Sequence, residues 1–114
     1  MYNQLEDLKV IYRIWHGWTT HENADVYENL LNTEIFPGIA AQNIPGYLGI
    51  QLLRRELDDE VEFVTIMRFD SLESVKGFTG EDYEQCYVPE SARLVLSRFD
   101  HRSQHFEVRA SIDY

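Results

Sequence analysis

Val10 to Trp18 alternates at period two. Val10, Tyr12, Ile14, His16 and Trp18 fall on one face of an extended chain, and Ile11, Arg13, Trp15 and Gly17 on the other. Aromatic and β-branched residues dominate, so the stretch is predicted to be a strand. The pattern then changes. Val26, Tyr27, Leu30, Leu31, Ile35 and Ile39 recur at three and four, the spacing of one helical face. Asn23 is the expected N-cap, with Asp25 in the first turn. Pro37 lacks an N–H and crowds the preceding turn, so the helix is expected to end near Phe36, with a short second turn before Pro45-Gly46.

Period two returns over Tyr47 to Leu57 and again over Val61 to Phe69, with Asp58-Asp59 between them as a hairpin turn. Asp70 followed by Glu73 reads as a capping box, Leu72, Val75 and Phe78 line one face of a short helix, and Gly80 ends it. Pro89 suits the start of another turn. Leu94 to Phe99 fits helix or strand, and Gln104 to Arg109 reads as a last strand with Phe106 and Val108 on its apolar side. Residues 1–8 and 110–114 read as flexible tails around a core of 10–109. The order βαββαβ predicts a single α+β domain of ferredoxin-like type, a four-stranded antiparallel sheet with both helices on one side.

Two helices cover one face of such a sheet, yet the first and third strands are apolar on both. An open apolar face invites aggregation, and a second copy packed sheet to sheet hides it, so a homodimer is expected. Composition narrows the partners. The 114 residues carry a formal net charge of -10, which disfavours phosphate backbones and anionic lipid; neither nucleic acid nor membrane is an expected partner. Cys86 is the single cysteine, and no apolar run approaches the roughly 18 residues of a membrane span. The acidic start has no signal-peptide pattern, so a cytoplasmic location is expected.

Four histidines raise the question of a metal. On a strand His101 and His105 stand roughly 13 Å apart, too far to share an ion, and no zinc pattern is present, so no metal is expected. There is no nucleophile elbow, dinucleotide fingerprint or Walker loop, hence no expected cofactor. The aromatic content is more telling. Two Trp, seven Tyr and six Phe, interleaved with His16, Arg68 and His105, suit a pocket between helices and sheet for a flat, mostly apolar ligand.

Several blocks in order resemble the antibiotic biosynthesis monooxygenase family of dimeric α+β barrel proteins. They are Ile14-Trp15-His16-Gly17-Trp18-Thr19-Thr20, Glu22-Asn23-Ala24-Asp25 with Tyr27, and Pro45-Gly46-Tyr47. Phe69-Asp70-Ser71-Leu72-Glu73 leading to Phe78, Gly80-Glu81-Asp82-Tyr83 and His105-Phe106-Glu107-Val108 complete the set. The resemblance implies a barrel made by two sheets of a homodimer, with one pocket per subunit. It implies cofactor-independent oxygenation of a small or polycyclic phenol or hydroquinone, with His16 or His105 as base and Arg68 as anion partner. Trp18, Phe69, Phe78 and Tyr83 would form the aromatic wall. A haem-degrading branch uses an Asn, a Trp and a helical His, and Ser71 to Gly80 holds no histidine. Many relatives carry Trp where this chain has Phe69. Two other functions are consistent with such a barrel: a non-enzymatic homodimer binding a small aromatic ligand, and an isomerase.

Overall fold

β1 (Ile11–Thr19) forms the centre of the sheet in the computed structural model, which describes residues 10–114; the tail expected at 1–8 lies outside the described residues. A helical arm follows: α1 (His21–Leu30), a π-helical turn (Leu31–Ile35) and α2 (Phe36–Ala40). Then come β2 (Tyr47–Glu56), β3 (Val61–Phe69), α3 (Leu72–Thr79), the single turn α4 (Glu90–Arg93), β4 (Arg98–Phe99) and β5 (Gln104–Glu107). The sheet runs β2-β3-β1, with β4 and β5 both on the far edge of β1 and every pairing antiparallel. β4 meets Gly17 and Trp18 while β5 meets Ile11 to Ile14, so the fourth strand of the βαββαβ order is present but split. This is the ferredoxin-like α+β fold.

Several local expectations are corrected. Thr20, not Asn23, caps α1: its side chain accepts from the Asn23 N–H at 3.2 Å. Ser71, not Asp70, caps α3 in the same way through the Ser74 N–H, and Asp70 instead accepts from Ser74 Oγ. Pro37 does not end the first helix. In the π turn just before it, the Phe36 N–H reaches back to the Leu31 carbonyl. The widened turn moves the Thr33 carbonyl, against which a proline ring at 37 presses in an α-helix. On β5 Phe106 is exposed, as are Gln104 and Glu107, and half-buried His105 turns inward.

The two faces of the sheet differ sharply. Ile11, Arg13, Trp15, Gly17 and Thr19 are buried under the helices, alternating with half-buried Tyr12, Ile14, His16 and Trp18 on the opposite face. From β3, Val61, Phe63, Met67 and Phe69 join the covered side, where Tyr27, Leu31, Ile35, Ile39 and Val75 pack against them. Tyr27 meets Phe63 edge to face at 4.9 Å. The register puts Val64 and Ile66 of β3, Leu53 of β2 and Phe106 of β5 on the other face beside His16, Ile14 and Tyr12. Leu53 remains 49% exposed and Phe106 53%.

Candidate active-site cleft

A cleft opens between the covered face of the sheet, the helical arm and the segment that follows α3. Trp15, Thr65 and Met67 form its floor, Tyr27, Leu31, Ile35 and Phe36 one wall, and Phe78, Tyr87, Val88 and Pro89 the other. The π turn contributes directly, since Leu31 and Ile35 lie in it and Phe36 follows it. About 460 Å³ lies between the walls, counting the open mouth, but the cavity proper is only about 40 Å³. The second figure governs fit: the cleft is narrow, and its walls must part for a fused-ring ligand.

One charge stands in this apolar setting. Arg13 is 3% exposed and lines the cleft. Its Nη1 donates to the Tyr83 carbonyl at 2.5 Å and to His105 Nε2 at 3.0 Å, and its Nη2 donates to the Gln85 carbonyl at 2.6 Å. The guanidinium also lies 5.6 Å from the centre of the Phe78 ring. No carboxylate forms an ion pair with it among the described residues. Burial pulls its pKa down to about 10, so it stays charged at neutral pH.

His105 is fixed by this neighbour. An arginine only donates, so Nε2 accepts and the ring proton resides on Nδ1. Burial, and then the Arg13 charge, hold its pKa down to about 4, and the imidazole is neutral at pH 7. Tyr83 packs on it edge to face at 5.2 Å. Ser103 is 2% exposed, lines the cleft, and its Oγ has no partner among the described residues.

The structure separates the residues that the sequence grouped in one pocket. Phe78 lines the cleft, and Tyr83 and His105 stand beside Arg13; Phe69 is buried behind Phe78 at 6.2 Å. His16, Trp18 and Arg68 occupy the opposite face of the sheet. The reason is parity: they share a face with Ile14 and Ile66, whereas the cleft takes the odd-numbered residues of β1 and β3. There, His16 Nδ1 meets Glu62 Oε2 at 2.8 Å, and Arg55 meets the other Glu62 oxygen at 2.6 Å. Hydrogen bonds from His16, then Arg55, hold the Glu62 carboxyl below its ordinary pKa. Trp18 stacks with His16 at 6.0 Å and carries Arg98 over its ring at 3.9 Å. Among the described residues Arg68 hydrogen-bonds only the Leu48 carbonyl, at 3.5 Å. Arg13 and Ser103 are absent from the sequence-derived site. A lone arginine between Ile11 and Trp15 on a strand face was the available signal for Arg13; nothing local marks Ser103.

No group of three or more His, Cys, Asp or Glu is placed to hold a metal ion among the described residues, and no described helix is long and apolar enough to cross a membrane. No family profile matches the sequence, and no curated protein matches it. Solved structures do. A Bacillus cereus protein provisionally assigned as an antibiotic biosynthesis monooxygenase superposes with a TM-score of 0.65 at 14% identity, covering 93% of this chain and 99% of that one. SnoaB, a cofactor-independent oxygenase from Streptomyces nogalater, gives 0.58 at 17% identity over 93% and 99%. The haem-degrader MhuD from Mycobacterium tuberculosis, solved with two haems in its active site, gives 0.54 at 21% identity over 90% and 99%. Different chemistries thus share one scaffold, and likeness at this level speaks to architecture rather than reaction. The chain has the fold of the antibiotic biosynthesis monooxygenases, as the blocks of its sequence implied.

Proposed function

We propose that this protein is a cofactor-independent oxygenase, acting as a homodimer, that holds a small or polycyclic phenol or hydroquinone as its anion against Arg13. One observation carries the reading: a buried guanidinium with no carboxylate partner among the described residues, at a cleft whose other lining residues are uncharged and mostly apolar. A buried cation without a counter-charge is costly, and an anionic ligand relieves that cost. The same positive charge lowers the pKa of a phenol placed beside it, so the ring reaches its electron-rich form without a strong base. For a substrate with an activated ring CH₂, O₂ then gives one oxygen atom to the carbon and the other leaves as water with the two hydrogens. All the electrons come from the substrate.

Arg13 takes in this reading the part that the family resemblance implied for Arg68, because Arg68 lies across the sheet. His105 positions Arg13 rather than accepting a proton, since its lone pair is already occupied. His16 belongs to the dimer contact. Support for the dimer is the second sheet face, where Ile14, Val64 and Ile66 adjoin exposed Leu53 and Phe106. Arg55, Glu62 and His16 pair with one another there, so these three can be covered without stranding a charge among them.

Oxygen uptake with a panel of anthrones and hydroquinones tests the activity. Consumption matching product is expected, with Arg13→Gln lowering turnover about 100-fold, as for loss of an oxyanion donor. Substrates that bind without consuming O₂ would overturn the oxygenase. That result would establish the second reading, a carrier of small aromatic anions, which one observation favours: among the described residues neither a carboxylate nor an imidazole lines the cleft.

A further inference from the structure

Two buried side-chain atoms have no hydrogen-bond partner among the described residues, Ser103 Oγ and His105 Nδ1. They lie two residues apart at the start of β5, and His105 faces Arg13 directly across the ladder. A buried polar group left unpaired forfeits its hydration with no return, so folded proteins keep few. Ser103 is the more telling because it also lines the cleft. Two groups nearby in the fold present donors: Arg13, which lines the same cleft, and His105, two residues along the chain and opposite Arg13. His105 Nδ1 bears the ring proton, since Nε2 accepts from Arg13. Of the guanidinium's N–H groups, those on Nη1 and one on Nη2 are engaged, which leaves Nε–H and one Nη2–H, on neighbouring nitrogens, without a partner among the described residues. A recess rich in donors calls for a ligand rich in acceptors.

We infer that this recess reads a pair of acceptor oxygens on the edge of the bound ring, at least one of them anionic, and that Ser103 is the residue that demands the second. The inference rests on the anionic reading of the cleft given above and adds the substrate class. A single phenolate oxygen occupies the free edge of Arg13 and leaves the Ser103 hydroxyl unpaired. A paired set satisfies both. Two ring chemistries supply it: a ring-borne carboxylate, and a phenolate beside a carbonyl. The neighbouring N–H groups of a guanidinium match either spacing.

Calorimetric titration of the whole protein under nitrogen, at mildly alkaline pH, tests this with three probes: 1-naphthol, 1-naphthoate and 2-acetyl-1-naphthol. At least one paired-oxygen probe is expected to bind about tenfold more tightly than 1-naphthol, or about 1.4 kcal/mol. The tighter of the two identifies the source of the pair. Ser103→Ala is expected to remove most of that preference while leaving 1-naphthol unchanged, and Ser103→Cys, which keeps a weak donor, to remove less. Arg13→Gln should abolish binding of all three. If 1-naphthol binds through Arg13 but the paired probes gain nothing, or if Ser103→Ala weakens all three alike, this inference falls and the anionic cleft stands. If no probe binds the wild-type protein, the anionic cleft falls as well.

Discussion

Replacing His105 by glutamine isolates the burial of that ring. In the native fold Nε2 accepts from Arg13 at 3.0 Å, and Nδ1 is sealed from water. Burial, and then the Arg13 charge, depress the pKa from its ordinary 6.5 to about 4. In the unfolded chain the ordinary value returns. Between about pH 6.5 and about 4 the unfolded state therefore binds a proton that the folded state refuses. Stability is fully present above that window and is lost as pH falls through it. A depression of this size amounts to roughly 3 kcal/mol, and solvent screening of the partly exposed ring reduces it to about 2 kcal/mol. The amide introduced by His105→Gln accepts the same Arg13 hydrogen through its oxygen and does not titrate. Urea unfolding over this range should show the wild type losing about 2 kcal/mol more than His105→Gln. Glu60, Glu62 and Asp82, whose carboxyls sit below their ordinary pKa, also lose stabilisation in acid. They do so in both proteins and cancel in the difference. Stability curves that stay parallel across the window would refute the reasoning.

Three further outcomes follow from packing. At Gly17 a Cβ would stand 2.8 Å from Trp15 Cη2 and 3.1 Å from Leu96 Cδ2, so Gly17→Ala should cost about 1–3 kcal/mol in urea melts and shift the Trp emission. Gly46 has a φ of +84°, and a Cβ there would run into Ser74 Oγ and Asp70 Oδ1; Gly46→Ala should lower the melting temperature, with a loss of about 2 kcal/mol or more. Ile66→Glu puts a charge at the centre of the open face, opposite Ile14 and Gln51. Sedimentation should find the wild type dimeric at micromolar concentration and the variant monomeric, with unchanged circular dichroism. A wild-type monomer would overturn the dimer.

Strands β1 and β3 were legible because period two ran through nine residues of each, and Gly80 marked the end of α3. The caps fell elsewhere because Thr20 and Asn23, or Asp70 and Ser71, are comparable N-cap residues by local rules, and the surrounding fold decides between them. Pro37 misled for a related reason: the rule that it breaks helices presumes an α-turn behind it, and here that turn is π. β4 has two residues, too few to show any period. The site was harder. β1 carries bulky groups on both faces, so alternation separates the odd from the even positions without saying which set the helices cover. His16 and Trp18 were placed in the pocket on that unresolved parity. Arg13 finds its partners 70 to 92 residues away, at Tyr83, Gln85 and His105, and no local pattern announces them.

An arginine buried with no carboxylate partner among the described residues raises the question of what solvates its charge. The carbonyls of Tyr83 and Gln85 answer part of it, for their dipoles solvate the charge in place of water. The same bonds tie the segment after α3 to the centre of the sheet, and that segment continues into Tyr87, Val88 and Pro89, a wall of the cleft. The residue that holds the wall is thus the residue assigned to the ligand. With a net charge of -10 the chain as a whole repels an anion, but exposed charges are screened over about 8 Å at physiological ionic strength. Inside the cleft the nearby guanidinium outweighs them. An anion on the free Nε–H and Nη2–H edge adds to the two carbonyl bonds rather than replacing them, and a charged acceptor is the stronger partner.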